Sequence, residues 1–194
     1  MPENKENKVQ FNLKNVHYAV ETETINDGVA TYTYGTPVAV PGAVTLAMAP
    51  EGETNKFYAD GIVYYNSIAD QGYSGDLEMA RFPEQMLQDI WGMTEGATSK
   101  VLTENANTEP KRFALLYQID GDADNNLFVL YHCTGARPGV GSTTNTNSKT
   151  PQTQTSTISA DPRADGVVMA RTTADTPAET KNAWFTKVFV EGAA

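Results

Sequence analysis

Asp120, Asp122 and Asp124 stand at alternate positions in the run Asp120-Gly121-Asp122-Ala123-Asp124-Asn125-Asn126. A calcium loop opens in this way, with carboxylates converging on one ion. The rest of that motif is missing: Asn125 stands where the sharp turn wants glycine, and Tyr131 where a bidentate glutamate belongs. A hairpin loop rich in turn formers accounts for the same residues, so the three aspartates are a weak metal candidate. His17 and His132, the only histidines, have no Cys or carboxylate at ligand spacing. Gly72-Tyr73-Ser74-Gly75 lacks the second glycine spacing of a nucleophile elbow, and the single cysteine, Cys133, ends an apolar strand pattern as a small core residue would. No catalytic residue and no cofactor is expected, and the chain is not expected to be an enzyme.

Recognition by surface is the chemistry left. Tyr58, Tyr64, Tyr65 and Tyr73 interleave with Asp60, Asp70 and Asp76 rather than with arginine or lysine, which disfavours stacking on single-stranded nucleic acid. Tyrosine offers a large contact area with little rotamer entropy. Tyr58, Asp60, Ile62, Tyr64, Tyr65 and Tyr73 are therefore the candidates for contacts between subunits, with ordinary strand filling as the alternative. The formal net charge of −10 argues against a surface that grips phosphates. It is compatible with a channel wall that repels them, and equally with a solvated acidic exterior.

The elements that would position these residues are short strands between turn signals. Residues 1–14 read as a flexible N-terminal arm and residues 15–194 as one domain. Val16, Tyr18 and Val20 alternate as a strand, and Pro37 to Pro41 behaves as an edge segment, because proline cannot donate to a ladder. Residues 50–75 form a long excursion with glycines around the apolar kernel Ile62-Val63-Tyr64-Tyr65. Pro83 to Trp91 reads as a helix, with Pro83 first, Gly92 as the stop, and Met86, Leu87, Ile90 and Trp91 on one stripe. Arg112 to Ile119 and Leu127 to Cys133 form the clearest hairpin. Ser142 to Thr157 contains only Ser, Thr, Asn, Gln, Lys and Pro and reads as a low-complexity mobile loop. Ala183 to Val190 is expected as a closing strand. No apolar run suits a signal peptide or a membrane anchor.

The order "KNVHYA", then "P…PGAV", "PEGE", "YADG" and "GYSGDLE" along Lys14 to Glu78 resembles the major tail protein, the tail tube subunit, of long-tailed phages and prophages of Gram-positive bacteria. The first half carries the resemblance. In the second half it rests on "FALLYQIDGD", on "LYHC…ARP" and on a closing "WF". The resemblance implies a mainly β, tail-tube-like fold: a β-sandwich or partly closed barrel of two packed antiparallel sheets with one flanking α-helix.

It also implies a structural role. Subunits of that family polymerise as stacked, hexameric rings into a hollow conduit for the genome, with a long hairpin loop reaching neighbouring subunits; the 50–75 excursion is the counterpart here. The implied partners are the chain itself, a tape-measure protein, a tail tip or distal tail protein, and a tail terminator. DNA passes through without specific binding. The implied location is the virion tail, after synthesis and assembly in the bacterial host cytoplasm. A monomeric β-sandwich binding or adhesion module is the alternative.

Overall fold

The computed structural model describes residues 6–144, 147 and 149–192. The fold is mainly β. One large antiparallel sheet carries most of the chain, a small second sheet and short helices flank it, and the barrel does not close. The large sheet runs in the order β2 (Val29–Tyr34), β1 (Gln10–Asn26), β8 (Phe113–Gly121), β9 (Asn126–Gly135), β10 (Gln154–Ala160), β5 (Ile62–Met79), β4 (Ala43–Ala59). Two short strands extend it: β3 (Val38–Ala39) pairs with β1, and β11 (Met169–Arg171) with β9. The second sheet is a hairpin of β6 (Thr94–Glu95) and β7 (Leu102–Thr103).

The central strands β8 and β9 are buried on both faces, so they read as nearly continuous apolar runs. Alternation sends Phe113, Leu115 and Tyr117 into one cluster and Ala114 and Leu116 into another. The first cluster also holds Val16 and Tyr18 from β1, Val40 beyond β3, and Leu77 and Met79 from β5. Strands from both ends of the sheet thus share one core, which requires the sheet to curl. Glycine is needed where β5 crosses the end of β10: Gly72 has φ +102°, and a Cβ there would stand 2.1 Å from the Ala160 carbonyl oxygen.

Helix α1 (Glu84–Asp89) lies over the first cluster. Pro83 is its extended cap rather than its first helical residue, and Gly92, at φ +65°, ends the turn that follows. The stripe read from the sequence holds: Met86, Ile90 and Trp91 are buried, Leu87 packs at the edge, and the Trp91 indole donates to the Gly135 carbonyl at 2.9 Å.

Three expectations are corrected. Ala183 to Val190 is not a strand: helix α2 (Ala178–Ala183) and the turns after it lay Trp184 and Val188 over the second cluster. A short apolar run fits a buried helical turn as well as a strand. The Ser142 to Thr157 loop ends earlier than its composition suggests, because Gln154 begins β10, an interior strand between β9 and β5. There Ser156 is buried, donates to the Ala136 carbonyl at 2.6 Å, and so satisfies its hydroxyl without water. Residues 145, 146 and 148 of that loop lie outside the described residues.

Residues 1–5 of the N-terminal arm likewise lie outside the described residues, and the rest of the arm is not free. From Asn7 onward the segment is docked. The Asn7 amide donates to the Asp124 carbonyl at 2.7 Å and accepts from the Ala123 and Asp124 amides, and strand β1 has begun by Gln10.

Candidate functional site: the projecting hairpin

Strands β4 and β5 are far longer than the sheet that holds them. At about 3.3 Å per residue, 17 residues of β4 extend roughly 55 Å. Residues Tyr73 to Met79 of β5 pair with β10, whereas from Gly72 to the tip β5 pairs only with β4. The 50–75 excursion is therefore not a separate loop but the continuation of two sheet strands beyond the body, as a two-stranded arm.

The arm ends in Asp60-Gly61, with φ of +53° and +78°. Positive φ at both central residues is the type I′ geometry whose twist suits a two-residue hairpin. A bulge lies just below: Phe57 pairs with Tyr65 and Tyr58 with Val63, leaving Tyr64 as the additional residue. Cross-strand partners share a face, so Phe57, Tyr65 and Ile62 lie on one side and Tyr58 and Val63 on the other, beside Lys56. The sequence thus makes both faces of the tip apolar, where an edge hairpin in water normally has at most one such face.

None of these side chains is covered. Tyr64 is 71% exposed and Ile68 76%; Phe57, Tyr58, Ile62 and Tyr65 are all exposed as well. An isolated two-stranded hairpin is marginal in water. A concentration of exposed apolar area of this kind marks an interaction surface. Both edges of the sheet, β2 and β4, also lack a further strand among the described residues.

Of the predicted contact residues, the arm brings together Tyr58, Asp60, Ile62, Tyr64 and Tyr65. Tyr73 stands apart: it lies in the body, half-buried against the first cluster. The three loop aspartates turn to different partners. Asp120 bonds the Lys14 ammonium at 2.5 Å, Asp122 accepts the Lys8 amide at 2.8 Å, and Asp124 meets the Lys181 ammonium at 2.5 Å. Hydrogen bonding to Lys14 lowers the pKa of Asp120 from its ordinary value, and the Lys8 amide does the same for Asp122. These carboxylates fasten the N-terminal segment and α2 to the loop. Among the described residues no group of three His, Cys, Asp or Glu side chains could hold a metal.

His17 stacks on Phe185 with centroids 4.7 Å apart, and Cys133 is enclosed, its thiol pKa pushed up by burial. A buried thiol of that kind is inert.

A polar cluster that sequence reasoning missed sits at the corner where β1 leaves β8 and begins to pair with β2. One Glu21 carboxylate oxygen meets His132 Nδ1 at 2.5 Å, and the other accepts the His132 amide at 3.2 Å. His132 is the extra residue of a β9 bulge and has φ +51°. Arg112 donates to its carbonyl. Beside it the Arg163 guanidinium lies over the rings of Tyr32 and Tyr131, 4.9 and 5.1 Å from their centroids, and bonds Asp165. That bond lowers the Asp165 pKa, while burial raises those of Tyr34 and Tyr131. Glu21 and His132 meet across 111 residues of chain, so spacing gave no signal. The cluster clamps the β1–β2 hairpin to the sheet.

A large curled antiparallel sheet with a projecting two-stranded arm, flanked by a small second sheet, is the class that these features define. No protein-family model matches the chain, and no curated protein does. Among solved structures it is similar to a chain of the anti-feeding prophage baseplate, at 10% identity and a TM-score of 0.42 over 83% of this chain and 94% of that one. It is also similar to a chain of the anti-feeding prophage tube-terminating cap, at 12% identity and a TM-score of 0.42 over 89% and 99%. Neither likeness is close enough to carry a role over to this chain. No helix among the described residues is long and apolar enough to cross a membrane.

Proposed function

We propose that this chain is a structural subunit of a phage-type tail tube, polymerising as stacked, hexameric rings into a hollow conduit for genome delivery. The observation that carries the proposal is the arm: a hairpin continuous with the sheet, apolar on both faces and uncovered in the single chain. Such an arm becomes stable when another chain covers it. The unpaired edges of β2 and β4 supply the second requirement, since edge pairing between copies can close a ring while stacking continues without end. The sequence resemblance from Lys14 to Glu78 supports the same reading independently.

In this reading the chain is not an enzyme. A tape-measure protein sets tube length, a tip or distal tail protein starts growth and a terminator stops it. The product is located in the virion tail after assembly in the host cytoplasm. The outward face of β5 and β10, where Thr157 bonds Asp76 and Thr153, just before β10, bonds Glu78, offers carboxylates of the kind that would repel phosphate from a channel wall and let DNA pass unbound. Negative-stain electron microscopy of the concentrated protein tests the proposal. Rings or hollow tubes of uniform width are expected, and a monomer at every concentration, even with phage tail tips added as seeds, would contradict it.

A further inference from the structure

Strand β1 leaves β8 after Val20, and from Glu21 to Asn26 it pairs only with β2. Side chains of both strands of this hairpin reach the body at one corner. The Tyr32 hydroxyl accepts the Ala164 amide at 2.9 Å, and its ring stands edge-on to His132 with centroids 5.5 Å apart. Tyr34 tilts against Tyr131 at 6.0 Å. Tyr34 is also the cross-strand partner of Glu21, whose carboxylate holds the His132 ring.

The charges at that corner are paired with one exception. Asp161 pairs with Arg112, and Asp165 with Arg163. Glu21, the third carboxylate, is 1% exposed in its side chain, and its ion-pair partner is His132 Nδ1 at 2.5 Å. Arg112 donates to the His132 carbonyl. The other titratable neighbours are the phenols of Tyr32, Tyr34 and Tyr131 and the Cys133 thiol, groups that carry no charge at neutral pH. Glu23, the next residue on that face of β1, is exposed. The corner's charge therefore balances when His132 is an imidazolium: Glu21, Asp161 and Asp165 then stand against His132, Arg112 and Arg163.

A carboxylate only accepts, so Nδ1 donates to Glu21 whatever the charge of the ring, and the proton that comes and goes is the one on Nε2. The His132 side chain is 10% exposed, so the ring is not sealed from water.

We infer that the Glu21–His132 contact is a proton-dependent latch on the β1–β2 hairpin, tightened when mild acid charges the His132 ring. Histidine changes charge between about pH 5 and 8, and a charge-assisted hydrogen bond is about twice as strong as a neutral one. Because the charged ring bonds Glu21 more strongly, protonation favours the latched hairpin, and the latch loosens as pH rises through that range. It belongs to the single chain and acts whether or not copies assemble. Strand β2 is an edge of the large sheet, so the latch also fixes how that edge is presented.

Hydrogen exchange of the dispersed full chain, read by NMR as protection factors so that the intrinsic pH dependence of exchange cancels, tests the latch. Protection of residues 22–33 is expected to fall roughly fivefold or more between about pH 6 and about pH 8. His17 and His132 are the only histidines, so H132Q should abolish that change and H17Q should leave it intact. E21Q, which removes the carboxylate charge, should abolish it as well. In the unaltered chain the His132 ring signals and the hairpin protection should titrate with one midpoint, a readout that needs no variant. Hairpin protection that is the same at both pH values, that changes equally in H132Q, or that does not follow the His132 ring would overturn the latch.

Discussion

The two halves of strand β5 are one continuous strand in opposite environments. From Tyr73 to Met79 it lies between β10 and β4, with Leu77 and Met79 fully buried. From Ile62 to Ala69 it has a single partner, and Ile62, Tyr64, Tyr65 and Ile68 face water. Composition does not separate the halves, since the exposed one is the more apolar. The difference is completion: the body half has its covering elements within the chain, and the arm half does not. An apolar segment kept outside a core is the mark of a surface that another molecule covers.

The largest effect is expected when the arm is excised. Replacing residues 53–69 with an Asn-Gly turn should abolish assembly while leaving the melting temperature of the body close to that of the full chain, as sedimentation and calorimetry would read. Loss of the body's cooperative melting would show instead that the arm is part of the core. The converse substitution is Leu115→Ala in the first cluster, expected to cost about 2–5 kcal/mol in denaturant unfolding, because the buried site cannot collapse around the cavity.

A smaller effect is expected at the corner between the sheet and the β1–β2 hairpin. Glu21→Gln replaces a buried acceptor that holds the backbone amide and the ring Nδ1 of His132 and should cost about 1–3 kcal/mol. Assembly at permissive temperature should survive, since the arm is untouched.

The smallest effect is the docking of the N-terminal segment. The pKa values of Asp120 and Asp122 are lowered in the folded chain, so their contribution is fully present above the ordinary aspartate value of about 4 and is lost as pH falls through the lowered values. The Lys8 amide should therefore exchange with solvent increasingly fast below that value, relative to a core amide such as Leu115. Asp122→Ala should make it fast at neutral pH too.

Features set by local chemistry were legible in the sequence. The Asp60-Gly61 turn, the stripe of α1 and the alternation of Phe113, Leu115 and Tyr117 all rest on neighbouring residues. What escaped depends on distant partners. Strand β10 is polar because its outward Thr157 bonds Asp76 and its inward Ser156 finds a carbonyl, so composition disguised an interior strand as a loop. Trp184 and Phe185 gave an apolar pair too short to separate strand from helical turn. Asn7 docks on a loop 117 residues away. Within the candidate site, the aromatic residues at 58, 64 and 65 were readable from their types, but Tyr73 lies in the body because the ladder with β10 reaches Ala160 opposite it.

Hydrogen exchange on residues 52–69, compared between the dispersed subunit and the assembled protein, tests the central claim most directly. An arm completed by a second copy should exchange rapidly when free and become protected on assembly, while β8 and β9 amides stay protected in both states. Equal protection of the arm in the two states would contradict the account, because the arm would then be stable without the partner that its exposed faces require.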